Sequence, residues 1–313
     1  ESNSLKLMSL KIVFMGTPEF SVPALESLLN SEHKILAVYS QPASKANRGQ
    51  KIIPSSVEKF AKKHFLNIRT PEILDNDEEY DYFKKLEPDI VVVIAYGKII
   101  PKKFLNLSKQ GFINAHASLL PKWRGAAPIQ RSIMNLDSQT GISIMKIVEE
   151  LDAGPIMHQD KIQINENVDT LTLSKVLSKL GANSIINAIN KIEKGEANFV
   201  EQKHKEATYA KKISKIEGKI NWDQSAKKVL AIINGLNPNP GAWFEFKKER
   251  FKVWKAEIIN MNGDAGTILN EKLTIGCKEQ SIKILEIQKE GKSRQPIKQF
   301  LLGNRINKGE KLI

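Results

Sequence analysis

The 313-residue chain is long enough for about two domains, and its 41% share of hydrophobic residues and mean hydropathy of −0.32 suit ordinary soluble cores. No apolar run approaches the roughly 18 residues of a membrane span, so we predict no membrane partner. The single cysteine, Cys277, excludes an internal disulfide and a multi-cysteine metal cage, which predicts a cytoplasmic protein. The net charge of +13 leaves two interpretations open, a lysine-rich solvated surface or a polyanionic partner.

The N-terminal segment gives little information before the first strand. Residues 1–7, ESNSLKL, have neither an apolar core nor a cleavage signal, so we interpret them as a cloning remnant or an upstream start and not as a signal peptide. The first predicted strand, KIVFMG at 11–16, ends in a glycine, and the following Thr-Pro suits a helix cap and first turn. The stretch GTPEFS is neither G-x-G-x-x-G nor a Walker loop, which favours a plain strand-to-helix turn over a nucleotide site.

Strand and helix patterns alternate through the first two thirds of the chain. The run DIVVVIAY at 89–96 is apolar throughout, as expected of a strand buried on both faces. The other predicted strands lie at 34–40, 111–118 and 141–148, with a helix in APIQRSIMN between the last two. Strands separated by helices predict an α/β fold with a parallel, doubly wound, Rossmann-like sheet, in which ligands bind beyond the carboxyl ends of the strands.

The pattern changes after a long helix predicted over 170–194. A polar linker is predicted at 196–208, and the rest of the chain shows one helix at 223–235 and several short strands, which is typical of a small OB-like β-barrel. The predicted domains are therefore 8–195 and 209–313. The second domain carries 21 Lys and Arg against 11 Asp and Glu, a net charge of +10, which favours nucleic acid as its partner.

One short segment, NAHASLLPKWRGAAP at 114–128, combines polar groups suited to carbonyl chemistry. The alternation in GFINAHAS places Asn114, His116 and Ser118 on one strand face near a carboxyl end. A lone histidine on a strand is more often a structural residue, but an amide donor beside a titratable donor can also hold an oxyanion. The turn that follows, SLLP, exposes backbone groups that could bind a flat heterocycle.

A carboxylate follows the strand predicted at 141–148. Asp152, in EELDAGPI, precedes Ala-Gly-Pro and therefore lies on a turn. An aspartate at this position could simply cap the turn with its side chain, which requires no catalytic role. From a neighbouring strand end, however, Asp152 could also reach His116 and orient its ring.

Other site classes find less support. The five histidines show neither H-x-x-x-H spacing nor cysteine partners, so we predict no metal site. A serine hydrolase is disfavoured because no G-x-S-x-G elbow is present. The long basic loop at 41–56, QPASKANRGQKIIPSS, is either a recognition loop or a disordered surface excursion.

Four segments together resemble the methionyl-tRNA formyltransferase family. They are FMGTPEFSVPAL, NAHASLLPKWRGAAPIQ, LDAGPI and GLNPNPGAWFEF, and the match runs from Lys11 to near the C-terminus. The H-x-S-L-L-P-x-x-R-G run is specific to enzymes that use 10-formyltetrahydrofolate, and the PGAWF segment with a basic C-terminal domain is more particular to the tRNA enzyme.

The resemblance implies the site residues. It places the catalytic residues at Asn114, His116 and Asp152. Its folate-binding run falls on Ser118, Leu119, Leu120 and Pro121. Its acceptor-stem loop falls on 41–56, which implies tRNA contacts by Arg48 and Lys51.

The implied activity is formyl transfer from 10-formyltetrahydrofolate to the α-amino group of methionyl-initiator tRNA, by a monomer with no tightly bound cofactor. Asn114 and His116 would stabilise the oxyanion, and Asp152 would orient His116 and help to remove the amine proton. Three alternatives share parts of this description. They are a purine-pathway formyltransferase, a formyltetrahydrofolate hydrolase and a non-catalytic RNA-binding protein, and none of the three needs both an intact catalytic set and a basic C-terminal domain.

Overall fold

The computed structural model describes residues 9–46 and 51–313. These residues fall into two units, each with its own internal contacts. The first contains the chain up to Gly125 together with Gly141–Ile162 and Ser174–Tyr209. The second contains Ala126–Thr140, Gln163–Leu173 and Ala210–Ile313. Residues 1–7 lie outside the described residues, and the predicted domain boundaries at 195 and 209 stay a prediction.

The first unit is built on a seven-stranded sheet in the order β10-β9-β7-β6-β1-β2-β5. Its strands are β1 (Lys11–Gly16), β2 (Lys34–Tyr39), β5 (Ile68–Arg69), β6 (Ile90–Ile94), β7 (Phe112–His116), β9 (Gln139–Lys146) and β10 (Ile156–Gln163). Outside this sheet, β3 (Ser44–Ala46) and β4 (Lys51–Ile53) form a small hairpin, and β8 (Arg124–Gly125) is a short separate strand. All five residues of β6 are buried, as its uniformly apolar sequence predicts. The central strands thus form the hydrophobic middle layer of the unit.

The sheet is parallel at its centre and antiparallel at one side. β1 pairs in parallel with β2 and β6, and β6 pairs in parallel with β7. β9 runs antiparallel to β7, with His116 opposite Ser143. The α/β class with a central parallel sheet is confirmed, whereas the prediction that the 141–148 strand is parallel is wrong. An antiparallel strand commonly completes one side of an otherwise parallel sheet because it needs no crossover helix.

Helices flank the strands of the first unit. They are α1 (Val22–Leu29), α2 (Ser56–Lys63), α3 (Asp77–Leu86), α4 (Lys102–Leu105) and the long α6 (Thr170–Glu193), which follows α5 (Pro128–Met134) in the chain. Ser55 caps α2 by accepting a hydrogen bond from the N–H of Glu58, and Asn76 caps α3 in the same way. Within the described part of the chain, no helix is both long enough and apolar enough to cross a membrane.

The segment predicted as a linker makes defined contacts with the first unit. Val200 pairs with Ile156 through two backbone hydrogen bonds of 2.8 and 2.9 Å. Gln202 is 5% exposed, which is unusual for a polar residue outside regular secondary structure. The backbone pairing of Val200 and the burial of Gln202 show that this stretch packs against the rest of the first unit.

The second unit combines helices with an antiparallel sheet of five strands. Its remaining elements are α7 (Ala226–Gly235), β12 (Ala242–Phe246), β13 (Glu249–Ile259), β14 (Thr274–Gly276), β15 (Ser281–Lys289), β16 (Gln295–Pro296) and α8 (Ile297–Gly303). The short strand β11 (Tyr209–Ala210) spans the boundary at which the chain passes from the first unit to the second. The sheet order is β12-β13-β15-β14, with β16 paired to β15. These regular strands of the described residues form an open sheet, so the predicted OB-like barrel is not confirmed.

Close packing of α5 against α7 explains one glycine of the second unit. A Cβ atom on Gly235 would lie 2.5 Å from Cγ of Met134, which is closer than real carbon contacts. Lys228, also on α7, donates a hydrogen bond to the carbonyl of Met134 at 2.7 Å. The sequence 126–140 is thus an integral part of the second unit.

Candidate active site

Strand β7 places Asn114 and His116 on one face because alternate residues of a strand point the same way. Asn114 lies opposite Val93 on one side and Met145 on the other, so the strand is fixed between two neighbours. β7 ends at His116, and Ser118 lies in the turn beyond it. The prediction that Ser118 shares the strand face is therefore wrong, while Asn114 and His116 stay together at the carboxyl end.

Both ring nitrogens of His116 face protein oxygens. Nε2 lies 2.8 Å from the carbonyl oxygen of Trp123. Because a carbonyl only accepts hydrogen bonds, Nε2 carries the proton, and the neutral ring has a free lone pair on Nδ1. Nδ1 lies 3.8 Å from Oδ2 of Asp152. The ring can therefore take up a proton at Nδ1, and the resulting cation would lie between two acceptors.

Asp152 occupies a turn, as predicted, with a left-handed backbone (φ +52°). Its Oδ2 accepts a hydrogen bond of 2.8 Å from the N–H of Gly125. The same oxygen thus accepts a hydrogen bond from a backbone amide and lies 3.8 Å from Nδ1 of His116. Aspartate is one of the few non-glycine residues that tolerate this conformation, which explains its use at the turn.

The segment Trp123–Gly125 connects the two groups. The carbonyl of Trp123 accepts from His116, and the N–H of Gly125, two residues later, donates to Asp152. Gly125 has a φ of +114°, a backbone conformation that favours glycine. The Trp-Arg-Gly sequence therefore holds the imidazole and the carboxylate at a fixed separation.

Two residues of this site were not predicted, Gln202 and the side chain of Arg124. Arg124 is 2% exposed, and its guanidinium donates to Oε1 of Gln202 at 2.9 and 3.2 Å. The amide nitrogen of Gln202 donates at 2.8 Å to the carbonyls of Asp152 and Gly154. The arginine in the R-G pair was visible in the motif, whereas Gln202 lies in a polar stretch that carries no local signal.

The predicted folate-binding run is fixed by hydrogen bonds to protein residues outside it. The hydroxyl of Ser118 donates to the carbonyl of Lys122 at 2.6 Å, and Ser143 donates to the Ser118 carbonyl at 2.6 Å. The Leu120 N–H donates to Ser143 at 3.0 Å, and Gln159 donates to the Leu120 carbonyl at 2.9 Å. These bonds make the loop 118–121 a rigid feature beside His116. They also occupy the Ser118 hydroxyl, while Leu119 and Pro121 are half-buried.

The side chain of Asn114 contrasts with this satisfied loop. Its Oδ1 atom is buried and has no hydrogen-bond partner among the described residues. Buried polar atoms without a partner are uncommon in folded proteins. The amide is thus free of competing protein bonds at that oxygen, as expected of a group that interacts with a ligand.

The predicted tRNA-contacting residues can be placed only in part. Lys51 is exposed at the start of β4, which pairs with β3 in the hairpin of the 41–56 loop. Arg48 lies outside the described residues. Among the described residues, there is no group of three or more His, Cys, Asp or Glu side chains that could hold a metal ion.

Comparison with known families matches nearly the whole chain. A family model described as formyl transferase matches residues 10–189, and a model described as formyl transferase, C-terminal domain, matches residues 212–305. A methionyl-tRNA formyltransferase of Pelagibacter ubique is 52% identical over 97% of this chain and 99% of its own length. A methionyl-tRNA formyltransferase of a Chelativorans strain is 41% identical over 97% of this chain and 100% of its own.

Solved structures show the same fold at lower identity. An N-formyltransferase from Helicobacter canadensis, in complex with folinic acid and dTDP-3-aminofucose, has a TM-score of 0.69 and 20% identity, covering 90% of this chain and 100% of its own. HypX from Aquifex aeolicus in complex with tetrahydrofolic acid has a TM-score of 0.67 and 15% identity, covering 97% of this chain and 51% of its own. At this identity, the likeness concerns the fold alone.

Proposed function

The chain belongs to the methionyl-tRNA formyltransferase family, and from this premise we propose how its residues carry out formyl transfer. The protein transfers the formyl group of 10-formyltetrahydrofolate to the α-amino group of methionyl-tRNA for translation initiation, and the folate is a co-substrate consumed in each turnover. Relatives at 40–52% identity over nearly the whole chain disfavour the purine-pathway, hydrolase and non-catalytic alternatives.

The observation that carries the mechanism is the placement of His116 and Asp152 by one segment. The α-amino group of an aminoacyl ester must be unprotonated before it attacks the formyl carbon, and ordinary α-amino groups have a pKa of about 7.7–8.0. His116 has a free lone pair on Nδ1, beside the Asp152 carboxylate. In our proposal, His116 receives the proton of the attacking nitrogen, and Asp152 orients the ring and stabilises the imidazolium that forms.

Attack on the formyl carbon creates a tetrahedral intermediate with a negatively charged oxygen. We assign Asn114 as a donor to this oxygen through its amide N–H, supported by its place on β7 beside His116. The His116 imidazolium supplies a second favourable interaction with the oxyanion. When the intermediate collapses, the bond to N10 of the folate breaks and N10 takes a proton from His116. The net result moves one formyl group and one proton in opposite directions.

The folate-binding run is also a proposal. The turn 118–121 lies directly after the catalytic strand and is held rigidly by Ser143 and Gln159. A rigid turn suits recognition of a flat heterocycle because binding then costs little loop entropy. Ser118 would act by shaping the turn through its bond to Lys122, and Leu119 and Pro121 would contact the folate.

The tRNA is proposed to contact two basic regions. The predicted C-terminal domain, 209–313, has a net charge of +10. Formyl transfer does not require this charge, whereas binding of tRNA phosphates does. The 41–56 loop, with Arg48 and Lys51, would reach the acceptor end. The exposure of Lys51 on the β3–β4 hairpin supports a role of this loop in tRNA binding.

We also propose that the antiparallel sheet of the second unit is part of an OB-like barrel. Irregular segments support this proposal by extending the pairing beyond β14 and β12. Ile268 pairs with Ile275 of β14, and its N–H donates a hydrogen bond of 2.9 Å to the backbone carbonyl of Glu310. Ile313 exchanges hydrogen bonds of 2.8 and 2.9 Å with Glu245 of β12. OB folds commonly bind nucleic acid, which fits the tRNA substrate.

We further propose that the domains are 8–195 and 209–313 with a connecting segment at 196–208, and the family models at 10–189 and 212–305 support that division. The protein acts as a monomer in the cytoplasm. Bacterial relatives that act in translation support the location.

The direct test of this function is incubation with 10-formyltetrahydrofolate and charged initiator tRNA. The expected product is formylmethionyl-tRNA, with tetrahydrofolate formed in equal amount. Folate consumption that produces formate and no formylmethionine would instead indicate the hydrolase, and binding of tRNA with no folate turnover would indicate the non-catalytic protein.

A further inference from the structure

Gln202 lies at the centre of a buried network next to the catalytic turn. Its amide is fully used, with Oε1 accepting two hydrogen bonds from Arg124 and Nε2 donating to two carbonyl oxygens, those of Asp152 and Gly154. The side chain is 5% exposed. A glutamine amide offers one acceptor oxygen and two N–H donors, and all three are used here.

The partners on each side fix the orientation of this amide. The Arg124 guanidinium has only donors, so it must face the oxygen of the Gln202 amide. The backbone carbonyls of Asp152 and Gly154 have only acceptors, so they must face its nitrogen. No other uncharged side chain of this length offers an acceptor and two donors in this arrangement.

Arg124 in turn couples this network to the catalytic pair. The Arg124 side chain is 2% exposed, and its guanidinium lies 3.5 Å from the carboxylate of the exposed Glu150. A buried charge requires nearby acceptors, and Gln202 and Nδ1 of His204, at 2.9 Å, provide them. Arg124 also lies between Trp123, which contacts His116, and Gly125, which contacts Asp152.

We propose that Gln202 is a positioning residue for Asp152. Its amide anchors the backbone carbonyl of Asp152 while Gly125 anchors the carboxylate, so that the left-handed turn is held at two points. Loss of the Gln202 donors would let the turn relax and move the carboxylate from the face of His116. This inference rests on the proposed role of Asp152 in formyl transfer.

The test uses Gln202→Glu in the full-length chain. The substitution keeps the shape and the acceptor for Arg124, but it replaces the donor with a carboxylate oxygen that faces two carbonyls. We expect kcat for formylation to fall by about tenfold to a hundredfold, since a misplacement of about 1 Å can have such an effect. The KM values for folate and tRNA should change less than about twofold, because Gln202 acts on the chemistry through Asp152.

A double-mutant cycle separates positioning from general stability. In an Asp152→Asn background, Gln202→Glu should cause little further loss, because the group it positions has already been inactivated. Gln202→Met is measured in the same two backgrounds, since this substitution removes the hydrogen bonds of Gln202 without adding charge. Gln110→Glu is the matched control, since Gln110 is exposed in the same unit and undergoes the same change of charge.

The outcomes distinguish this inference from the proposed function. Equal losses from Gln202→Glu in both backgrounds, or no loss in either, would overturn the positioning role while Asp152→Asn remains strongly impaired. Full turnover by Asp152→Asn would overturn the proposed catalytic role of Asp152, and the inference would fall with it. A folded Gln202→Glu variant with lower kcat, unchanged KM and no additional effect on Asp152→Asn is the result that the inference requires.

Discussion

The Nδ1 atom of His116 lies 3.8 Å from the Oδ2 atom of Asp152. This separation exceeds a hydrogen bond, and Oδ2 is already bonded to the N–H of Gly125 at 2.8 Å. Catalytic hydrogen bonds are often long in the absence of substrate and shorten in the reacting complex. We therefore interpret the pair as ready to receive a proton on His116, at which point the ion pair with Asp152 would tighten.

Replacement of His116 by alanine should greatly slow formyl transfer. The variant loses both the proton acceptor and the cationic stabiliser of the oxyanion, and loss of one such donor typically lowers kcat by about 10²–10³. Steady-state formylation assays at saturating substrates measure the effect. The exposed His64 serves as the control, since His64→Ala should keep normal turnover. Near-normal turnover by a folded His116→Ala protein would remove His116 from the mechanism.

The basic residues of the second unit should make tRNA binding strongly dependent on salt. Each phosphate neutralised lowers the slope of log K against log salt by about 0.7–0.9. Lys252→Gln is a suitable change because the Nζ atom of Lys252 lies 5.6 Å from the centroid of the Trp254 ring, which holds the cation beside an aromatic group. We expect its slope to flatten by about one phosphate equivalent, with folate affinity unchanged.

The control for this experiment is Lys109→Gln, a basic residue of the first unit that pairs with Asp89. Its salt slope should match that of the unmodified protein. Point substitutions are preferable to deletion of residues 209–313, because deletion would uncover the face of α5 that packs on α7. If Lys252→Gln and Lys109→Gln give the same slope, Lys252 does not contact phosphate.

Local sequence was sufficient to predict the local backbone setting of the three proposed catalytic residues, Asn114, His116 and Asp152. Asn114 and His116 are two residues apart on a strand whose alternation is visible, and Asp152 sits in an obvious turn. Gln202 could not be found in this way, because its partners are 48 to 78 positions away in the sequence. The carbonyl of Trp123 was also missed, since a backbone group has no residue type to reveal it.

The fold shows the same division between local and distant information. Apolar runs such as β6 predicted the central sheet, whereas α2 and α3 were missed because charged residues dominate their exposed faces. The antiparallel direction of β9 depends on how its connection returns to β7, which strand composition does not encode.

Cys277 should be chemically inert in the folded protein. Burial raises the pKa of its thiol to about 11, and the residue is 2% exposed. At about pH 8, the thiolate fraction is on the order of one in a thousand, so attack on Ellman's reagent should be very slow. Addition of guanidinium should release one thiol per chain at the rate of unfolding. Rapid native-state reaction would show that this part of the core opens readily.

The ion pair of Glu217 and Arg131 should make stability depend on acid pH. Hydrogen bonding to Arg131 lowers the pKa of Glu217 from 4.5 to about 2. Because the folded state favours the carboxylate, the contribution is fully present above about pH 4.5 and is lost as the pH falls through about 2. We discount the effect for partial exposure and expect Glu217→Gln to reduce the unfolding free energy by about 1 kcal/mol at neutral pH.

Urea unfolding of both proteins, from neutral pH down to about pH 3, tests this expectation. The difference in free energy should narrow as the solution becomes more acidic. A constant difference across that range would indicate that the substitution acts through packing and not through the charge of Glu217.

Single-turnover formylation by Asp152→Asn tests the central claim most directly. The substitution keeps the shape of the side chain and removes the negative charge that faces His116, so the rate of formylmethionyl-tRNA formation should fall by at least about 10². Folate affinity, measured by fluorescence titration, should stay within about threefold of the unmodified protein, since the carboxylate serves the proton transfer. A folded Asp152→Asn protein that forms product at an unchanged rate would contradict the account, as would one that loses folate binding but retains full turnover at saturation.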